Sequence, residues 1–216
     1  MQKGSKHDLI DKVTQEKYMS DIEEGFYDAQ ILSPPCGSWS RANFADNKPP
    51  QPCRNKDFPW GFPNQIRQQQ NRAAKGNEFI HFSLRALAAA SSLKSKRKWM
   101  RSLLEHPEDL GTTHRGTPAS IWQLPDMRKQ ANQPGFRTVA GHQCQFDNYD
   151  VKKPTRLVSD LEGVEHFGHL GWPQFDAAGY YTGPLPYDCG HYHRQPTIGR
   201  NADGGHHTAP TAAYPE

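Results

Sequence analysis

One cysteine in this sequence stands where a thiol can do chemistry. Cys36 follows a short apolar run at 29–32 and two prolines, within the segment SPPCGSWS at 33–40. The prolines predict a rigid loop after a buried strand, and Gly37 and Ser38 can donate backbone and hydroxyl hydrogen bonds. Such a loop would lower the thiol pKa and position a thiolate for attack. The alternative is a small buried side chain, because free cysteine is among the most buried residue types.

A second candidate is the carboxyl group of Glu105, in the segment LLEHP at 103–107. The two leucines predict a strand that ends near Glu105, and open α/β sheets place their sites in the loops at the carboxyl ends of strands. A carboxyl group there can act as a general acid on a reacting ring within hydrogen-bond reach. The alternative is a surface or helix-capping glutamate, which is the commoner place for this residue type.

A third candidate is the basic segment KKPTR at 152–156, which follows Gln143-Cys144-Gln145. Lys153 and Arg156 are the side chains suited to contact a phosphate or a base. An exposed basic turn without function is an equally good interpretation of the same residues.

Helix-like and strand-like patterns alternate along the chain and must position these residues. Helical spacing of apolar residues occurs at 8–24, 67–93 and 119–131, and strand-like runs occur at 29–32, within 102–111, and at 136–146 and 155–161. This alternation predicts an α/β sheet. From residue 162 onward Gly, Pro, His and Tyr dominate without periodicity. We therefore predict a core at 1–161 and a loop-rich or partly disordered extension at 162–216.

The motifs resemble those of the DNA cytosine-5 methyltransferases. PPCxxxS, from Pro34 to Ser40, is similar to the family's nucleophile motif, in which glutamine stands where this chain has Gly37. LLEHP is similar to the second catalytic motif, with His106 in place of the usual asparagine. QCQ and KKPTR resemble the later strand and basic segment, although the family's Q-R-R pattern is not intact here.

The resemblance implies a partial Rossmann-like methyltransferase core with a loop-rich C-terminal extension. Cys36 would attack carbon 6 of a flipped-out cytosine, while Glu105 would hold and protonate the ring. Arg156 would help to hold the base. Ser40 and Arg41 would either support the loop or contact phosphate, and Lys153 would contact the nucleic acid.

The layout also resembles divergent methyltransferase-like domains of eukaryotic retroelement polyproteins, over about residues 25–216. In those domains PPC, a GN-containing helix, an ExP strand, a KPT segment and a terminal TAxxAAYP stretch recur. Beside PPC, the corresponding stretches are Gly76-Asn77, Glu105-His106-Pro107, Lys153-Pro154-Thr155 and Thr208 to Pro215. DNA and other segments of a larger polyprotein are the partners that this resemblance implies.

S-adenosylmethionine is the cofactor that the resemblance implies. The family's glycine-rich donor loop does not occur upstream of Cys36, and the glycine-rich segment 199–205 follows no clear strand. We therefore expect a fragment or a degenerate domain that cannot bind the donor alone, with unknown cofactor-binding residues. The alternative function is a non-catalytic nucleic-acid-binding or scaffold segment of a mobile-element polyprotein, which would use the basic stretch 94–101.

Composition limits the class of protein only loosely. The net charge of +3 permits nucleic-acid contact without requiring it. The four cysteines form no CxxC pair, and neither a signal peptide nor a membrane-spanning apolar run is evident. These observations predict reduced thiols in an intracellular protein without membrane contact, and a nuclear location would suit a DNA substrate.

Metal-ligand side chains cluster near the end of the chain, in Cys189, His191 and His193, with His206 and His207 further on. The CxHxH spacing is not that of a standard zinc finger, and zinc needs four ligands. A zinc-stabilised module is one interpretation. A loop with incidental histidines is the favoured one, and on it we predict no metal site.

Overall fold

The computed structural model describes residues 7–93, 100–146, 152–193, 199–205 and 207. A five-stranded mixed sheet lies at the centre, in the order β1-β2-β4-β3-β5. Its strands are β1 (Ala29–Leu32), β2 (Arg101–Pro107), β3 (Arg137–His142), β4 (Pro154–Ser159) and β5 (His169–Leu170). The helices are α1 (Lys12–Glu23), α2 (Arg67–Leu93) and α3 (Pro125–Ala131), and a hairpin is formed by β6 (Gln174–Phe175) and β7 (Tyr181–Gly183).

The predicted α/β class is confirmed, since helices and a mixed sheet share one core. The strands β1 and β2 pair in parallel, with Ile31 opposite Leu103, and the other neighbours in the sheet pair antiparallel. A parallel pair needs a long crossover connection, and α2 is the helix of that crossover. The helix buries Ile80 and Leu87 completely, on the face that packs against the sheet.

The bounds of α2 agree with the predicted helix, but the predicted helix at 119–131 is too long. Only Pro125–Ala131 is α-helical, and a short 3₁₀ turn at Ile121–Gln123 precedes it. Leu124 between them has an extended backbone because it stands before Pro125, which occupies the first helical position. The predicted strand at 136–146 likewise ends at His142, where a 3₁₀ turn, Gln143–Gln145, begins.

Part of the segment after residue 161 packs on the sheet. In β5, Leu170 pairs with Val139 of β3, and Tyr180 forms an isolated bridge with Gly111 in the loop after β2. The division of the chain at residue 161 stays a prediction. Most of the basic stretch 94–101, together with His206 and the terminal stretch 208–215, lies outside the described residues.

Candidate active site

The loop after β1 presents Cys36 at the carboxyl end of that strand. The side chain is half-buried, whereas Gly37 beside it is exposed. The carbonyl group of Cys36 accepts a hydrogen bond from the backbone N–H of Trp39 at 2.8 Å, which closes a tight turn. A Cβ atom at Gly37 would meet nothing within 4 Å, so packing does not require glycine where the related motif has glutamine.

Helix α2 supports this loop from behind through a close approach at Gly76. A Cβ atom at this position would lie closer than 3.0 Å to the Ser38 hydroxyl and 3.3 Å from Nε1 of Trp39. Only glycine therefore lets the helix reach the turn that carries Cys36. This explains structurally why a glycine stands in the Gly76-Asn77 pair.

Arg54 binds the same turn to α2, although no motif or periodicity in the sequence indicates a role for this residue. Its guanidinium group is buried and stacks on the Trp39 ring, with Cζ 3.9 Å from the ring centroid. The group donates hydrogen bonds to the oxygens of Pro59 (2.7 Å), Asn77 (2.8 Å), Ser38 (3.1 Å) and Ala73 (2.8 Å). The residues after the PPC motif are thus held by contacts that no local pattern reveals.

Ser40 and Arg41 support the loop, which was one of their two predicted roles. The Ser40 hydroxyl caps a 3₁₀ turn by accepting a hydrogen bond from the N–H of Ala42 at 3.2 Å. The Arg41 guanidinium group donates to the carbonyl oxygens of three residues in the loop after β2: Leu110 (2.5 Å), Gly111 (2.7 Å) and Thr112 (3.1 Å). These bonds fasten the loop of Cys36 to the loop after β2.

Glu105 is the centre of a buried polar cluster beside that loop. Its carboxylate accepts hydrogen bonds from the Ser33 hydroxyl (2.9 Å), from the Gln143 amide (3.2 Å) and from the Thr155 hydroxyl. The ammonium group of Lys153 lies 3.8 Å from Oε1 of the same carboxylate. Four segments of the chain therefore meet at one carboxyl group, and one of them is the segment that leads into Cys36.

The charges of this cluster act on the thiol. Burial raises the pKa of Cys36, the positive charge of Lys153 lowers it, and the negative charge of Glu105 raises it. The net shift is upward, so the expectation of a lowered pKa is wrong: desolvation of the thiolate outweighs the attraction of Lys153. Both charges nevertheless reach the thiol, which places Cys36, Lys153 and Glu105 in one electrostatic neighbourhood.

Arg156 is not brought to this cluster. Its side chain is fully buried and forms a two-point ion pair with Glu108, at 2.7 and 2.8 Å. It also donates to the Thr138 hydroxyl and to the Gly171 carbonyl group, both at 2.6 Å. Because successive side chains of a strand point to opposite faces, Arg156 points away from the face on which Thr155 contacts Glu105. The contacts of Arg156 are those of a structural residue.

His106 is buried next to Glu105, and both of its ring nitrogens are without a hydrogen-bond partner. Desolvation lowers its pKa from the ordinary 6.5 to about 4, which keeps the ring neutral near pH 7. The ring lies edge-on to Trp122, with the ring centroids 6.3 Å apart. In this position the side chain acts as a packing group rather than as a counterpart of the asparagine in the related motif.

Two cavities in the described part of the chain are lined by residues other than Cys36 and Glu105. One, of about 220 Å³, lies between the loop after β2 and the β6–β7 hairpin. The other, of about 30 Å³, lies beside His106 and Arg41. Pro35 and Gly37, on either side of Cys36, are exposed, so the candidate site is approached from the surface.

Comparisons with protein-family models, with curated proteins and with solved structures gave no match. Among the described helices, none has both the length and the apolar character required to cross a membrane. Any function for this chain therefore rests on the residues and geometry described above.

Proposed function

We propose that this chain is the catalytic half of a DNA cytosine-5 methyltransferase-like domain, built on a partial Rossmann-like core. The observation that carries the proposal is the placement of Cys36 and Glu105 near the carboxyl ends of two adjacent parallel strands, β1 and β2, where the charge of Glu105 acts on the thiol. Open α/β sheets place their reactive groups at this edge. The two side chains have the types that addition to a pyrimidine ring requires, a thiol nucleophile and a carboxyl acid.

The proposed step is the addition of the thiol to a flipped-out cytosine, since the target atoms are buried in a stacked duplex. The Cys36 thiol first gives up its proton, which the Glu105 carboxylate takes up directly or through solvent. The thiolate then forms a bond to C6, and the electron pair of the C5–C6 double bond moves into the ring toward N3. Glu105 in its acid form delivers a proton to N3, which leaves a neutral ring with nucleophilic character at C5. Lys153 favours the thiolate before attack through its positive charge.

S-adenosylmethionine, when bound, would supply the methyl group to C5. The described residues do not fit a donor site of the expected kind. In the glycine-rich segment 199–205, Arg200 pairs with Asp46 at 2.8 Å, and the described residues 184–193 that lie before it in the chain contain no strand of the central sheet. The chemistry proposed for this chain is therefore the addition and the proton transfer, which need no donor.

Exchange of the hydrogen at C5 tests this step without a cofactor. Addition at C6, protonation of C5 by solvent and reversal would replace that hydrogen with deuterium in heavy water. A single-stranded oligonucleotide is the suitable substrate, because an unstacked base is the least costly to bind. Mass spectrometry of the recovered cytosine should show deuterium with the wild-type chain. The exchange should disappear in Cys36→Ala and slow in Glu105→Gln.

The matched control is Cys53→Ala, which removes a buried thiol from the neighbouring connection and should leave the exchange unchanged. Circular dichroism of each variant establishes that it is folded. Exchange that persists in Cys36→Ala, or no exchange by the folded wild-type chain, would refute the proposal.

Two observations favour the second candidate function, a non-catalytic nucleic-acid-binding or scaffold segment of a polyprotein. The pKa of Cys36 is raised rather than lowered, and Arg156 is held in a buried ion pair instead of facing a ligand. In that case the chain should bind an oligonucleotide with the same affinity in the wild type and in Cys36→Ala, and neither should exchange the C5 hydrogen.

A further inference from the structure

A second group of reactive side chains lies at the end of β3, outside the candidate active site. Cys144 belongs to the 3₁₀ turn that follows β3, and Cys189, His191 and His193 come from the loop after β7. One ligand atom from each of the four side chains lies within 4.8 Å of the other three. Both cysteine side chains are buried, and neither forms a disulfide.

The geometry points to a structural zinc site formed by Cys144, Cys189, His191 and His193. This inference is independent of the proposed function, because none of the four residues belongs to the Cys36 and Glu105 cluster. Two thiolates and two imidazoles in a closed tetrahedron are a standard structural zinc set. Soft sulfur ligands combined with imidazole favour zinc over the hard cations, which prefer oxygen.

The distances are close to those of a tetrahedral site. Zn–S bonds of ~2.3 Å and Zn–N bonds of ~2.0 Å place the ligand atoms of a tetrahedron roughly 3.3–3.8 Å apart. Here Sγ of Cys189 lies 3.0 Å from Nε2 of His193, and the widest separation in the group is no more than 4.8 Å. Adjustments of about 1 Å or less would therefore bring all four atoms to one ion. The rings of His191 and His193 are nearly perpendicular, at 89°, so that they converge from different directions.

Three of the four proposed ligands lie at every second position of one short segment. Cys189, His191 and His193 alternate with Gly190 and Tyr192, both of which are exposed; the Tyr192 side chain is 91% exposed. The backbone turns at Gly190, which has a left-handed φ of 77°, and the ligand atoms of Cys189, His191 and His193 lie within 4.8 Å of that of Cys144 although His191 is itself exposed. The CxHxH segment, whose spacing is unusual for a zinc finger, thus supplies three ligands. Cys144, which is distant in the sequence, supplies the fourth.

The site explains how a loop without regular structure is held to the sheet. The described residues 184–193 form no helix or strand. Leu185 is buried at the start of this loop, and Lys152 lies 4.5 Å from the centroid of the exposed Tyr187 ring. A metal ion shared with Cys144 would fix this loop to the end of β3. The same turn contains Gln143, which donates to Glu105, so the ion would also steady one side of the candidate active site.

Metal analysis of the full chain tests the site without any assay of activity. The chain is purified under reducing conditions in zinc-containing medium, with any affinity tag removed, and dialysed against metal-free buffer. Elemental analysis should find about one zinc per chain. Cys144→Ser and His193→Ala should lose that zinc, whereas the matched controls Cys36→Ser and His114→Ala should retain it. His114 is an exposed histidine outside the group.

Two measurements on the wild-type chain cover the case in which a variant fails to fold. Replacement of zinc by Co²⁺ should produce the thiolate-to-cobalt charge-transfer absorption and the visible bands of a tetrahedral ion. Bound zinc should protect Cys144 and Cys189, but not Cys36, from alkylation. A folded wild-type chain that binds neither zinc nor cobalt would overturn the inference. The inference would also be overturned by a metal-free chain whose mass is lower by two hydrogens because Cys144 and Cys189 form a disulfide.

Discussion

Replacement of Gly76 by alanine should destabilise the fold, although alanine is the better helix former. Gly76 lies within α2, where the exchange alone would favour the folded state by about 1 kcal/mol. The added Cβ atom, however, would lie closer than 3.0 Å to the Ser38 hydroxyl. The outcome depends on whether this steric cost exceeds the gain in helix propensity.

The steric cost has two parts. Overpacking of a well-packed contact costs about 1–3 kcal/mol. Rotation of Ser38 would relieve the contact, but it would also break the hydrogen bond from Arg54 at 3.1 Å. A hydrogen bond to a charged group contributes about 1.5–3 kcal/mol. After subtraction of the helix term, the two parts sum to about 1.5–5 kcal/mol; because rotation of Ser38 would relieve part of the overlap, we expect Gly76→Ala to lower the free energy of unfolding by about 2 kcal/mol, near the lower end.

Urea unfolding followed by circular dichroism measures this change. With a slope of about 2 kcal/mol per molar, a loss of about 2 kcal/mol moves the midpoint down by about 1 M. Gly37→Ala is the matched control, because a Cβ atom there meets nothing within 4 Å. Its free energy of unfolding should stay within about 0.5 kcal/mol of the wild type.

A double-mutant cycle with Ser38→Ala isolates the contact. Once the hydroxyl is absent, Gly76→Ala should be neutral or stabilising, since the helix term then acts with less opposition. The reasoning fails if Gly76→Ala is as stable as the wild type in the presence of Ser38. It also fails if the added cost is the same with and without the hydroxyl.

Three further predictions concern the charged and titratable groups. Alkylation of Cys36 should be slow at pH 7 and accelerate at alkaline pH. Lys153→Met removes the charge that lowers the thiol pKa and should move the pH of half-maximal alkylation rate upward; an unchanged or lower pH of half-maximal rate would contradict this. The folded-state pKa of His106 lies at about 4, below its ordinary 6.5, so the stability that its neutral ring contributes is present above pH 6.5 and is lost as the pH falls toward 4, by up to about 3 kcal/mol. His106→Leu should reduce the dependence of the unfolding free energy on pH over this range, and an unaltered slope would refute the assignment. Arg156→Met should lower the free energy of unfolding in urea by about 3–5 kcal/mol because it leaves Glu108 buried without its partner, and adding Glu108→Gln to that variant should recover part of the loss. An Arg156→Met chain within about 1 kcal/mol of the wild type would show that the ion pair is not the source of stability.

The positions of Cys36 and Glu105 could be predicted because both depend on local pattern. Apolar runs that stop at prolines mark strand ends, and a parallel pair of strands follows from a long helix between them. The C-terminal half of α2 was predictable for the same reason, since it contains apolar residues at helical spacing from Phe79 to Ala88 and an alanine run at 88–90. Local pattern thus placed two chemically suited side chains at one edge of the sheet.

Tertiary partners could not be predicted in the same way. The basic segment 152–156 looks uniform in the sequence, but β4 begins within it, so Thr155 and Arg156 point to opposite faces and have unrelated roles. Arg54 lies in a stretch without periodicity, and most of its partners come from two other segments, the Cys36 loop and α2. Cys144 lies 45 positions before Cys189, and only the fold brings the two thiols together.

The topology of the sheet also has a kinetic consequence. The paired residues Arg137 and Ser159 of β3 and β4 are 22 positions apart, whereas Ala29 of β1 and Arg101 of β2 are 72 apart. Closing the longer loop costs about 1 kcal/mol more conformational entropy, and contacts of larger sequence separation slow folding. We therefore expect the β3–β4 pair, which brings Thr155 into place, to form early, and β1 with its cysteine loop to dock late. A slow refolding phase should accordingly appear in probes placed near Cys36, whereas probes on β4 should change in an earlier and faster phase.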